Sequence, residues 1–184
     1  MTQHVQILVG PVASGKSTYS RNAAQRGMVI VNDDAIVMAI HAGHYQLYDQ
    51  SAKPLYKAVE NTILQTAVAL GRSVVVDRGT NNRPDSRRRW IGLAHSLDLP
   101  VVAVVFPDEG PEVHARRRFE SDGRGASYEE WLKVAQHHAD VGEPVNFYSD
   151  EGFDEVVTVQ WPDVQNGWCY QAEVLERITG GPYG

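Results

Sequence analysis

The sequence predicts an α/β domain built in three layers, a parallel sheet of about five strands with helices on both faces. Three observations predict it. Short Val- and Ile-rich segments alternate with helical stretches, a glycine-rich loop joins the first strand to the first helix, and the composition is that of a globular chain. Of the 184 residues 42% are hydrophobic and 22% charged, which suits one core without crosslinks. A single cysteine, Cys169, excludes a disulfide framework and any zinc site built on thiolates. No apolar run approaches the about 18 residues of a membrane span, and the N-terminal MTQHVQILVG lacks a basic signal head. The expectation is a cytoplasmic chain with no membrane partner.

The expected strands are His4–Val9, Met28–Val31, Ser73–Asp77, Pro100–Phe106 and Glu155–Gln160, each bounded by Gly, Pro or Asp. Between them lie expected helices at Lys16–Arg26, Ala35–Ala42, Ala52–Leu70, Pro84–Leu97, Glu112–Glu120 and Tyr128–Ala139. The longest carries Leu55, Val59, Ile63, Ala67 and Leu70 three or four apart, a stripe that would face the core. Pro84 and Asp85 suit the first turn of theirs. Strict alternation makes parallel strands the simplest arrangement. Nothing divides the chain, so residues 1–184 form a single domain, with a lid at about 114–130 and an extension at about 161–184 that has no readable role. A further helix around Gln171–Ile178 would fit the extension.

Charge is unevenly placed. Lys and Arg total 17 against 23 Asp and Glu, a net of −6, but residues 140–184 hold nine of the acids and one base. The first three-quarters is therefore slightly basic, with runs at Arg83–Arg89 and Arg116–Arg124. Net acidity argues against a protein that coats nucleic acid indiscriminately. Solvated helix faces would explain the basic runs equally well.

The strongest local signal is Gly10-Pro11-Val12-Ala13-Ser14-Gly15-Lys16-Ser17-Thr18, which matches G-x-x-x-x-G-K-[ST] between a strand and a helix. Gly10 and Gly15 let backbone approach a phosphate chain without a Cβ in the way. The loop from Ala13 through Thr18 then turns its N–H groups and the positive helix end toward the anion. Lys16 brings a mobile charge to the phosphates of ATP, and the Ser17 hydroxyl is placed to bind Mg²⁺.

Ligands of open α/β sheets bind beyond the carboxyl ends of the strands, and two strands deliver acids there. The second runs into Asn32-Asp33-Asp34 and the third ends in Asp77. Such acids can take a proton from an attacking hydroxyl or hold Mg²⁺. Asp is also a favoured helix N-cap; the expected division makes Asp33 the base and Asp34 the cap, with Asp77 a metal ligand beside Ser17. Arg116, Arg117 and Arg118 splay about 100° apart on a helix, so not all three face one site, and Arg124 follows in Ser121-Asp122-Gly123-Arg124-Gly125. At least one arginine of this group, among Arg116, Arg117, Arg118 and Arg124, is expected to reach a transferring phosphate. Arg78, Asn81, Arg83 and Arg88 lie where an acceptor would be held. His41, His44, His137 and His138 lack a convincing third ligand, so no zinc is expected. Tyr45, Tyr48 and Tyr56 could stack on bases or simply pack.

With these residues together, the chain resembles the polynucleotide 5′-hydroxyl kinase family of P-loop kinases. The resemblance runs through GPVASGKST, VNDDAIVMAI, VVVDRGTNNRPDSRRRW and HARRRFESDGRGASYEEWL, and covers most of residues 5–140. It implies the P-loop kinase form of the three-layer fold, ATP as donor, Mg²⁺, and transfer to the 5′-hydroxyl of a DNA or RNA end. It also implies Asp33 as general base, Lys16, Ser17 and Asp77 at the phosphates, and lid arginines at Arg116 and Arg124. One departure stands out: the family's acceptor-gripping arginine, three residues after the base, is Ile36 here. Arg78, Arg83 or Arg88 could replace it, or the acceptor could be a nucleoside, a small molecule or the hydroxymethyl group of a modified base in DNA. A nucleotide-dependent switch or ATPase without acceptor is the remaining alternative.

Overall fold

Strands β1 (Val5–Val9), β2 (Val29–Asn32), β3 (Val74–Asp77), β4 (Val101–Val105) and β5 (Glu155–Thr158) form one sheet. Its order is β2-β3-β1-β4-β5 and every pairing is parallel. The computed structural model describes residues 3–121, 125–143, 145 and 151–170. Parallel strands are covered on both faces and so read as continuous apolar runs; Val5, Ile7, Leu8 and Val74–Val76 have no exposed surface. Each strand starts and ends within a residue or two of expectation, as does each of the six expected helices.

Helices cover both faces. On one, α3 (Lys53–Ala69) and α4 (Pro84–His95) lay Leu64, Ala67, Trp90 and Ala94 against Ile7, Val76 and Ala103. On the other, α1 (Lys16–Gln25) sets Tyr19 and Ala23 against Leu8, Val75 and Val102. Beside it lies α7 (Trp161–Gln165), which sequence periodicity missed because it is a single turn and a half with Pro162 at its start. Residues 161–170 thus serve as cover. Val164, Cys169 and Tyr170 are buried there, and Cys169 acts as a small hydrophobe. The cover is tied down by polar bonds: Tyr19 Oη donates to Gln6 Oε1 at 2.6 Å, and the Tyr170 amide donates to Tyr19 Oη at 3.0 Å. The candidate helix at 171–178 lies outside the described residues.

Two local corrections matter for the site. Helix α2 (Asp33–Ile40) starts two residues early because Asn32 caps it, its side chain accepting the Ala35 N–H at 2.8 Å. Asp34 is therefore not the cap, and both acids sit in the first turn. Along α3 the buried row is Tyr56, Glu60, Leu64 and Ala67, while Leu55 and Leu70 of the expected stripe face solvent. A glutamate in the core row shifted the face by one residue.

The segment expected to act as a lid, about 114–130, falls on two mutually packed helices, α5 (Pro111–Ser121) and α6 (Tyr128–Val141). Ser127 and Glu130 form a reciprocal capping box at the start of α6. Among the described residues no helix is long and apolar enough to cross a membrane.

Candidate active site

The phosphate loop is shaped by backbone that only its sequence permits. Ala13 and Gly15 both have left-handed φ, at 55° and 105°, the alternation of hands from which anion nests are built. A Cβ at Gly10 would stand 2.7 Å from the Phe106 Cβ and 2.9 Å from Ser14 Oγ. A Cβ at Gly15 would overlap the indole of Trp161, the first residue of α7. The terminal extension thus reaches the loop itself. From the other side the Gly10 N–H donates to Asn82 Oδ1 at 3.0 Å.

Lys16 is folded back over its own loop. Its Nζ donates to the carbonyls of Gly10 (2.7 Å) and Pro11 (2.5 Å) and to Ser14 Oγ (3.4 Å). Burial lowers its pKa from 10.5 to about 8, and the negative charge of Asp77 opposes that fall. The Ser17 side is exposed, whereas the Thr18 hydroxyl accepts from Arg21 Nη2 at 3.1 Å. Asp77 is buried at the end of β3, with Ser20 Oγ donating to its Oδ2 at 2.8 Å. Burial raises its pKa and Lys16 draws it back. Ser17 and Asp77 offer only oxygen, the donor set that suits Mg²⁺ alongside phosphate oxygens.

Asp33 stands across a gap set by the sheet. Asn32 pairs with Asp77, and β3 separates β2 from β1. Two strand spacings put the Asp33 turn about 10 Å from the loop's root, room for a phosphoryl group and an alcohol. Its side chain is 29% exposed. Burial raises its pKa, opposed by Arg78, whose Nε donates to Oδ2 at 3.2 Å.

That arginine belongs to a chain of charges. Arg78 Nη1 meets Glu60 at 3.3 Å, and Arg89 Nη1 meets the same carboxylate at 2.6 Å. Glu60 is 1% exposed, so it needs both partners. Sequence reasoning missed it, since an acid in an amphipathic helix is expected to face water. Asn81, expected at the acceptor, is instead fully buried, its Nδ2 bonding the carbonyls of Leu8 and Val76. It staples β1 to β3 beneath the loop. Arg87, also fully buried, forks onto Glu151 and donates to the carbonyls of Asn81 and Glu143. Arg83 is exposed and lines a small cleft with Asp85, Arg88 and Glu143; Arg88 pairs with Asp85 at the surface.

In the lid, Arg116 is exposed, Arg117 pairs with Glu109, and Arg118 lies over the Trp131 ring at 4.8 Å. Arg124 lies outside the described residues. His138 of α6 lies by Gly79 and within charge range of Lys16; burial, then Lys16, lowers its pKa to about 4. It stays neutral beside the loop. Among the described residues no cluster of three or more His, Cys, Asp or Glu could hold a metal ion.

A family profile described as an AAA domain matches residues 5–138, most of the chain, with the phosphate loop, Asp33 and Asp77 among them. The chain belongs to that AAA-domain family. No match is found among curated proteins. Among solved structures, this AAA domain is similar to a fungal RNA kinase (18% identity, TM-score 0.58, covering 87% of this chain and 76% of that one). It is also similar to a kinase candidate from Chloroflexus aurantiacus (18%, 0.59, 98% of both chains). A third neighbour is shikimate kinase from Acinetobacter baumannii in complex with shikimate (14%, 0.53, 100% and 97%). At these identities the likeness is one of fold: the AAA domain has the P-loop kinase architecture.

Proposed function

We propose that the chain transfers the γ-phosphate of ATP to a hydroxyl, with the 5′-hydroxyl of a DNA or RNA end as acceptor. The observation that carries it is the position of Asp33: a half-buried carboxylate, relieved of capping by Asn32, one strand away from the phosphate loop. Asp33 takes the hydroxyl proton as the acceptor oxygen bonds to the γ-phosphorus, and the bond to the β–γ bridging oxygen breaks to release ADP. Lys16 leaves the Gly10 and Pro11 carbonyls for the phosphates, and a lid arginine, Arg116 or Arg124, adds positive charge. Mg²⁺, held by Ser17 and Asp77, supplies further charge neutralisation when bound. The likeness to a fungal RNA kinase supports a nucleic-acid acceptor.

A specific observation favours a second acceptor class. With Ile36 where the resembling family carries arginine, Arg78 is the cation beside Asp33, and two carboxylates already engage it. A nucleoside or other alcohol without an adjacent phosphate suits that balance. Radiolabelled γ-phosphate transfer, run across oligonucleotides with free 5′-hydroxyls, nucleosides and modified DNA, separates the two. Labelled oligonucleotide supports the first reading and labelled nucleoside or modified base alone the second. ATP hydrolysis with no labelled acceptor contradicts both.

A further inference from the structure

Residues 41–56, from the end of α2 into the first turn of α3, carry an aromatic ladder that phosphoryl transfer does not use. The rings of Tyr45 and Tyr48 lie 6.4 Å apart at 17°, and those of Tyr48 and Tyr56 5.5 Å apart at 25°. The base of the ladder is fixed. Tyr56 is buried, its Oη is hydrogen-bonded to His41 Nε2 at 2.8 Å and accepts the Asp49 N–H at 3.1 Å. The outer rungs are not buried: Tyr45 is 37% exposed, Tyr48 39%, and Leu47 beside them 57%. Along α3, exposed Lys53 and Lys57 form a row one turn apart, next to the row of Tyr56 and Glu60. The one acid in the segment, Asp49, is occupied by the Ser51 N–H and hydroxyl. Stacked aromatics flanked by a cationic row, in a chain of net charge −6, are the combination that holds single strands without sequence preference.

Position supports the same occupant. Asp33 opens α2 and Ile40 closes it, so the segment that carries Tyr45 and Tyr48 leaves α2 about 10 Å along the helix from the proposed base. We propose that Tyr45 and Tyr48 are a stacking platform for bases of a single-stranded nucleic acid, with Lys53 and Lys57 beside its phosphates. This rests on the nucleic-acid acceptor proposed above and extends it to a second subsite.

The test reads binding apart from chemistry. Anisotropy of a fluorescent single-stranded oligonucleotide, without ATP, is measured for the wild type, Tyr45→Ala with Tyr48→Ala, Tyr45→Phe with Tyr48→Phe, and Lys53→Ala with Lys57→Ala. The alanine pair should weaken binding about ten-fold or more while the phenylalanine pair keeps it. The lysine pair should lower the slope of log K against log salt by about 1.4. Circular dichroism and ATP affinity should not change. Equal binding by the alanine pair overturns the platform, as does a wild type that binds no oligonucleotide and self-associates through these tyrosines instead. Tyrosine-dependent binding without phosphate transfer to the oligonucleotide keeps the platform and refutes the acceptor assignment; transfer that ignores the tyrosines does the reverse.

Discussion

Raising the pH should loosen the loop's hold on a nucleotide, because Lys16 enters binding with its proton already weakened. Burial sets its pKa at about 8, down from 10.5, while its Nζ is held by the Gly10 and Pro11 carbonyls. Phosphate oxygens in place of those carbonyls favour the charged form and restore the higher value. Binding therefore takes up a proton, and affinity is full below the free-state value and lost as pH rises above it. If the bound lysine returns to the ordinary value, uptake is about 0.75 proton per nucleotide near pH 8.5, and affinity falls about thirty-fold between about pH 7 and 9.5. Phosphate groups are already ionised across that range, so the proton belongs to the protein. Titration calorimetry in two buffers of different ionisation enthalpy reads it directly. Proton-neutral binding, or the same pH dependence in Lys16→Met, would refute the reasoning.

Four further outcomes follow from the packing. Gly15→Ala should abolish nucleotide binding by calorimetry, since its backbone is left-handed and the new Cβ would meet Trp161; Gly92→Ala, with nothing near its Cβ position in α4, should stabilise by about 0.5–1 kcal/mol in denaturant melts. Glu60→Ala should cost about 3–5 kcal/mol of stability, because Arg78 and Arg89 lose a buried counter-charge. Glu60→Gln should cost less and lower the transfer rate with ATP affinity unchanged; an unaltered rate would show that Arg78 needs no anchor.

How much the chain disclosed depended on whether local or distant groups settled the matter. The phosphate loop was legible because each of its residues is fixed by backbone geometry within nine positions. Strand positions were legible for a similar reason, since burial on both faces leaves uninterrupted valines such as Val74–Val76. Glu60 was not, because its partners Arg78 and Arg89 come from other elements. Nor was the fate of the arginine run: Arg87 is buried and Arg88 exposed, though they are neighbours. Asn81 looked like part of an acceptor edge but spends its amide on the carbonyls of Leu8 and Val76. Trp161 against Gly15 joins residues too far apart for any pattern to pair them.

The central claim is that a carboxylate at the end of β2 works on an alcohol across from the phosphate loop. Phosphate transfer by Asp33→Asn, measured beside its ATP affinity, addresses it most directly. A fall of about 10²–10⁴-fold in rate, with ATP affinity kept and with loss of the wild type's acid limb, which burial of the Asp33 carboxyl shifts upward, is the predicted result. Turnover equal to wild type, or ATP binding lost together with activity, would contradict it.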